Sequence, residues 1–279
     1  MAQHPDIHSD AMAVLRSRLP VRLVGGKRLE PVVSLAEKAM PVPALQIMLE
    51  SACKLGERLA SPEPLLRQAG VARISDLRDS SLELCESLAG RTHNRAIAMA
   101  AAEGGLTGAT GMAGMVLDIP GLLTLALRTI YQVGLCYGFE LQGETGRHLA
   151  LRIFGLASAN TVKEKEAALL GLAALRQGLL QPSLLHLRHS AATAFGRDAV
   201  VSALQEAARQ LGVNLSRRKA MGIMPVIGAA VGAAVNAGFL RDVGWAARRT
   251  FQAMWMEGTF AGTAGVPGNS RLSVANDGI

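Results

Sequence analysis

Residues 220–240 read AMGIMPVIGAAVGAAVNAGFL and carry no charged side chain. Arg217, Arg218 and Lys219 precede this run, and Arg241 follows it. Its length reaches that of a membrane span. Its interior is Gly and Ala with one Asn, a composition that lets a second helix backbone approach closely. Gly228, Gly232 and Asn236 recur every four residues and share one helical face, with Ala229, Ala233 and Ala237 along the adjacent row. Such a helix must lie against lipid or against another helix. The functional reading turns on which of the two it meets.

The rest of the composition points to helices. Hydrophobic residues make up 49% of the 279-residue chain, but aromatics only 4%. The apolar content is therefore largely Ala, Leu, Val and Met, and Ala and Leu are strong helix formers. An all-α fold follows, a multi-helix bundle with two Gly/Ala-rich apolar segments. The net charge of +7 suits an anionic lipid surface or a nucleic acid and does not choose between them. Lys and Arg are densest around the uncharged run, from Arg217 to Arg249, which favours a membrane surface. No recognised motif or interleaved aromatic patch supports nucleic-acid binding. Cys53, Cys85 and Cys136 are scattered, without a CxxC pair, and predict a reducing, cytoplasmic setting. The polar opening MAQHPDIHSDAM predicts no cleaved secretory signal.

The pattern along the chain predicts an N-terminal arm over 1–40, a helical domain over 41–258 and a disordered tail over 259–279. The arm holds short helical stretches near 10–18 and up to Met40, with a basic turn at Gly25-Gly26-Lys27-Arg28 between them. Pro43 can open a helix running to about Leu59. Ser61 is placed as the cap of a short helix that stops at Gly70. Helices are expected over 81–103, 119–138, 145–158, 161–180 and 184–211, the last broken near Gly196. A basic helix is expected over 241–257, separate from the 220–240 run.

The second Gly-rich stretch is GGLTGATGMAGMVLDIP, 104–120. Gly105, Gly108, Gly111 and Gly114 recur every third residue, and Gly104 precedes Gly108 by four. On one helix they would form a slowly winding bare stripe. Each glycine costs a helix about 1 kcal/mol relative to alanine, so the stripe needs a compensating contact. A phosphate loop would need a preceding strand and a GK[ST] ending, and neither is present. Asp118 reads as the N-cap of the next helix, with Pro120 in its first turn. Tyr137-Gly138 reads as that helix's C-terminus. Asp118, Arg128, Tyr137 and Asn236 are the candidate polar core of these apolar segments, with Asp118 or Tyr137 as candidate partners for the Asn236 amide. His186 and His189 lie three apart without a third ligand, so no metal site is assigned. No nucleophile, base and oxyanion set is evident, and neither a catalytic residue nor a cofactor is assigned.

The run GLTGATGMAGMVLDIPGLLTLALRTIYQVGLCYGFE, 105–140, resembles the signature region of the EcsC protein family, and IMPVIGAAVGAAVNAGFL, 223–240, resembles its second signature. The two lie in the expected order and spacing. The resemblance implies a bacterial protein of helical fold. It carries over to Gly105, Gly108, Asp118, Pro120, Arg128, Tyr137, Gly138, Gly228, Gly232 and Asn236. The arm before Met40 and the tail after Gly258 fall outside it. Three readings follow. The favoured one is a non-enzymatic, membrane-associated helical protein that rests peripherally on the cytoplasmic side of the inner membrane or inserts a Gly-rich hairpin, with Trp245 and Trp255 near the lipid interface. A soluble bundle that binds a protein partner or its own copy is the second. A hydrolase-like enzyme using Asp118, Tyr137 and Asn236 is the third.

Overall fold

The computed structural model describes residues 42–109, 111–159, 161–180, 201–208 and 228–263. Expectations for 1–40, His186, His189, Gly196, 220–227 and 264–279 lie outside the described residues. Within them the chain is all-α, with no strand. The elements are α1 (Val42–Leu59), α2 (Glu63–Ala69), a 3-10 turn (Ile74–Arg78), α3 (Leu82–Ala109), α4 (Gly111–Cys136), α5 (Gly143–Ser158), α6 (Val162–Leu180), α7 (201–208) and α8 (Gly228–Thr263).

Local chemistry sets several of these ends. The Ser81 hydroxyl accepts the Leu84 N–H at 3.3 Å and caps α3. Thr161 and Glu164 bond reciprocally, side chain to backbone, and open α6 with a capping box. The end of α4 is a Schellman turn: Phe139 N–H bonds Gly134 O at 2.9 Å, and Gly138 N–H bonds Leu135 O at 3.0 Å. Gly138 takes φ +81°, a conformation that favours glycine. Ser61 does not cap α2. Its hydroxyl bonds the Glu63 carboxylate instead, and Pro62 takes the cap position without a side-chain bond.

Several boundaries differ from the sequence expectation. α3 continues through Gly104, Gly105 and Gly108 to Ala109, while Gly111 and Gly114 belong to the first turns of α4. The predicted single stripe is thus divided between two helices. Asp118 is not an N-cap, because α4 starts at Gly111 and runs through Pro120. Pro120 forfeits one backbone bond, and the apolar contacts that follow it hold the helix together. The 228–240 segment and the basic 241–257 segment form one helix of 36 residues, about 54 Å long. That helix passes Gly258 and ends at Thr263, inside the segment assigned to the tail. Nothing between Leu240 and Arg241 breaks it, since the change there is only one of charge.

α4 lies at the centre, against α1, α3, α5 and α8. Its Ile119–Cys136 stretch has a mean hydropathy of 1.3, enough by length and composition to span a membrane, yet 72% of it is buried within the bundle. Leu123, Ala126, Leu127, Ile130, Val133 and Tyr137 form the middle of the core. Gly56 of α1 admits the backbone of α4, since a Cβ there would stand 2.8 Å from Arg128 N.

Candidate functional site

α3 and α8 run antiparallel in long contact, and their polar residues meet at three levels. At the first level Glu86, near the start of α3, takes two partners. Tyr137 Oη donates to Glu86 Oε1 at 2.5 Å, and Arg248 Nη2 donates to Glu86 Oε2 at 2.5 Å. One carboxylate thus joins α3, the end of α4 and α8. The Arg248 and Glu86 side chains are 17% and 27% exposed, so the pair is largely withdrawn from water. Burial, followed by the Glu86 carboxylate, pushes the Tyr137 phenol well above its ordinary range. Tyr137 therefore stays protonated and acts as a donor. The Arg248 guanidinium also stacks on the Trp245 ring at 4.8 Å, and Arg249 approaches the same ring at 5.4 Å.

His93 makes the middle level, seven residues along α3 from Glu86 and on the same face. Only 2% of it is exposed. Its Nε2 lies 3.1 Å from Arg241 O, so that nitrogen carries the proton and donates it. The ring meets Trp245 edge-on at 5.9 Å. Gly244 leaves room for it: a Cβ there would stand 2.6 Å from His93 Cγ. Burial first, and then the Arg248 charge, lower the His93 pKa below the ordinary imidazole value. The unfolded chain therefore takes up this proton at a higher pH than the folded one. Stability from His93 is complete above about pH 6.5 and is lost as pH falls below it. His148, lowered to about 4 by burial and by Arg152, acts in the same direction. Urea midpoints should therefore fall between pH 7.5 and pH 5, and fall less in His93→Gln. An equal fall in both proteins would assign the loss to other groups.

The third level is the glycine end. A Cβ built on Gly104 falls on the Gly232 carbonyl oxygen and 2.7 Å from Asn236 Nδ2. A Cβ on Gly232 falls on the Gly104 carbonyl oxygen and 3.2 Å from Gly108 Cα. Gly105 faces Ala233 and Ala229 at ordinary contact distance. Asn236 is 4% exposed.

Tyr137 and Asn236, two of the polar residues singled out from sequence, do not converge. Tyr137 meets Glu86, whereas Asn236 meets Gly104, about 27 Å further along α3 by helical rise. Of the two candidate partners for Asn236, Tyr137 bonds Glu86, and the Asp118 side chain lies outside the described residues. Arg128 sits on α4 beside Gly56, half-buried, with its Nε sealed and unbonded. Asp118 lies inside α4, and its side chain is outside the described ones. Gly228 opens α8. Both tryptophans are engaged within the bundle: Trp255 Nε1 donates to Leu77 O at 3.1 Å, and Trp245 sits between His93 and two arginines. Glu86, His93 and Arg248 were missed. The i, i+7 spacing of Glu86 and His93, and the 3–4 spacing of Arg241, Gly244 and Arg248, are the only traces they leave in sequence.

Chemically this arrangement is a clamp. Burial raises the Cys53 and Cys85 thiols to about 11 and Cys136 to about 12, so all three remain protonated. Among the described residues no cluster of His, Cys, Asp and Glu could hold a metal.

Residues 26–256 match the EcsC protein family. The chain belongs to that family. No curated protein and no solved structure matches it. The EcsC match begins within the segment read as an N-terminal arm, so the family region reaches further upstream than the expected start at 41. It ends at 256, inside α8, and takes in all three levels of the α3–α8 contact.

Proposed function

We propose that this chain is a non-enzymatic helical protein that docks peripherally on a membrane surface through the glycine end of the α3–α8 pair. The observation that carries this reading is an exposed, uncharged end. Leu106 is 75% exposed and Met99 42%, and Ala98, Ala102, Ala229, Ala230 and Ala234 are exposed beside them. Residues 104–117 contain no charged side chain. An apolar end of this kind suits shallow entry into the boundary between headgroups and acyl chains. Peripheral docking fits better than spanning, because, among the described residues, the one helix apolar enough to cross lies mostly inside the bundle. The free, buried Cys53, Cys85 and Cys136 suit the cytoplasmic side.

Flotation with phospholipid vesicles tests this. The purified chain should float with vesicles, and Leu106→Asp should reduce binding about tenfold or more while leaving thermal stability unchanged. Equal flotation of Leu106→Asp would remove the assigned end from the account. A second reading has its own observation. α1 exposes Ile47, Leu55 and Leu59, at 66%, 46% and 44%, along one face. A soluble bundle that binds a protein partner or its own copy would use that face. It would then stay behind without vesicles and show a concentration-dependent mass in light scattering.

A further inference from the structure

The outer edge of α3 changes character along its length. Arg91, Arg95, Met99, Ala102 and Leu106 follow one another at intervals of four, four, three and four residues, and all are exposed. That spacing keeps them on one face of the helix. Its first half is basic, and its second half is apolar and uncharged.

The two arginines are little engaged. Arg91 Nη2 reaches Ser87 Oγ at 3.4 Å, a long bond. Arg95 has no hydrogen-bond or ion-pair partner among the described residues. The nearby cations of α8 differ in this respect. Arg241 pairs with Asp242 at 3.5 Å, Arg248 with Glu86, and Arg249 Nη1 donates to Gln252. The acid on the last turns of α3 is Glu103, which faces inward against Gly121 of α4. Among the described residues of α3, no carboxylate lies on the edge between Arg91 and Leu106.

We propose that this edge reads the charge of the surface it docks on, with Leu106 and Met99 entering the apolar boundary while Arg95 and Arg91 take anionic phospholipid headgroups. The assignment rests on the membrane reading above and adds the lipid class to it. Arg95 lies about 6 Å below Met99 along the axis, and Arg91 about 6 Å below Arg95. Headgroup regions are about 5–7 Å thick, which a helix inclined to the surface matches with Arg95 at headgroup depth. An arginine stem packs along apolar surface while its guanidinium remains polar-solvated, and the planar fork suits phosphate oxygens. Each basic residue near an anionic leaflet strengthens binding by about fivefold.

The test compares vesicles of phosphatidylcholine alone with vesicles containing phosphatidylglycerol, using the whole chain. Wild type should bind the mixed vesicles more tightly, and added salt should reduce the difference. Arg91→Gln/Arg95→Gln should bind mixed vesicles about 25-fold more weakly while keeping its binding to phosphatidylcholine. Arg58→Gln/Arg67→Gln, which removes the same charge from α1 and α2, should keep the preference. Equal binding of wild type to both vesicles would overturn the lipid class and leave the docking end standing. Equal losses in the two double variants would replace this edge by general charge. Absence of binding to either vesicle would overturn the membrane reading itself, and this assignment with it. Unchanged circular-dichroism melts establish that the variants are folded, as expected for exposed arginines.

Discussion

Gly232→Ala is expected to lower stability by about 2 kcal/mol, despite alanine being the better helix former. The added methyl falls on the Gly104 carbonyl oxygen and beside Gly108 Cα, and neither is the end of a flexible side chain. The helices must separate locally, and overpacking against rigid backbone costs about 3 kcal/mol, the upper end of the usual range. The gain in helix propensity, about 1 kcal/mol, offsets only part of it. Separation would also strip Asn236 of its packed surroundings and strain the His93 level below. For a domain of this size the midpoint of thermal unfolding should drop by about 4–8 °C. Gly238 lies on the same helix, and a Cβ there meets nothing within 4 Å. Gly238→Ala should therefore raise stability, by up to about 1 kcal/mol. Opposite signs for two glycines six residues apart on α8 are the decisive outcome. If both substitutions stabilise, the close approach at Gly104 does not persist in solution.

Glu86→Ala should be at least as damaging, at about 3 kcal/mol. It removes the acceptor of the Tyr137 hydroxyl and the carboxylate paired with Arg248. A buried donor left without a partner costs about 1–3 kcal/mol. Removing one member of a fully buried ion pair costs about 3–5 kcal/mol, and less here because both side chains keep some access to water. Trp245 still holds the Arg248 guanidinium by its face, which limits the loss further. Glu86→Gln keeps an acceptor for Tyr137 and should cost about half as much. A double-mutant cycle of Glu86→Gln with Arg248→Met isolates the pair, with an expected coupling of about 1–2 kcal/mol in urea denaturation. A coupling near zero would show that the clamp contributes through packing alone.

Burial of Ile119–Cys136 changes the meaning of its hydropathy. From composition alone a lipid-facing helix and a core helix look the same, because both exclude charge over about 20 residues. The neighbours α1, α3, α5 and α8 decide between them by covering α4 on its sides. The tryptophans follow the same logic. Trp245 and Trp255 sit where interfacial aromatics would suit a membrane reading, yet each finds its partner inside the bundle, three helical turns apart on α8. The exposed end instead rests on Leu106 and Met99, which periodicity alone would have placed with other apolar positions.

The all-α class, the helix starts near Ser81 and Thr161, the stop at Gly138 and the family were legible in the amino-acid order, because these depend on contacts within a few residues or on long matched runs. Composition likewise marked 104–120 and 220–240 as places where bare backbone recurs. Packing in three dimensions set Gly104 against Gly232, turned Tyr137 to Glu86 rather than Asn236, and left Asp118 interior to a helix rather than its cap. The Gly104–Gly232 approach depends on the antiparallel register of α3 and α8, set by side chains more than a hundred residues apart in the chain. No local propensity or spacing specifies which level of one helix will meet which level of the other.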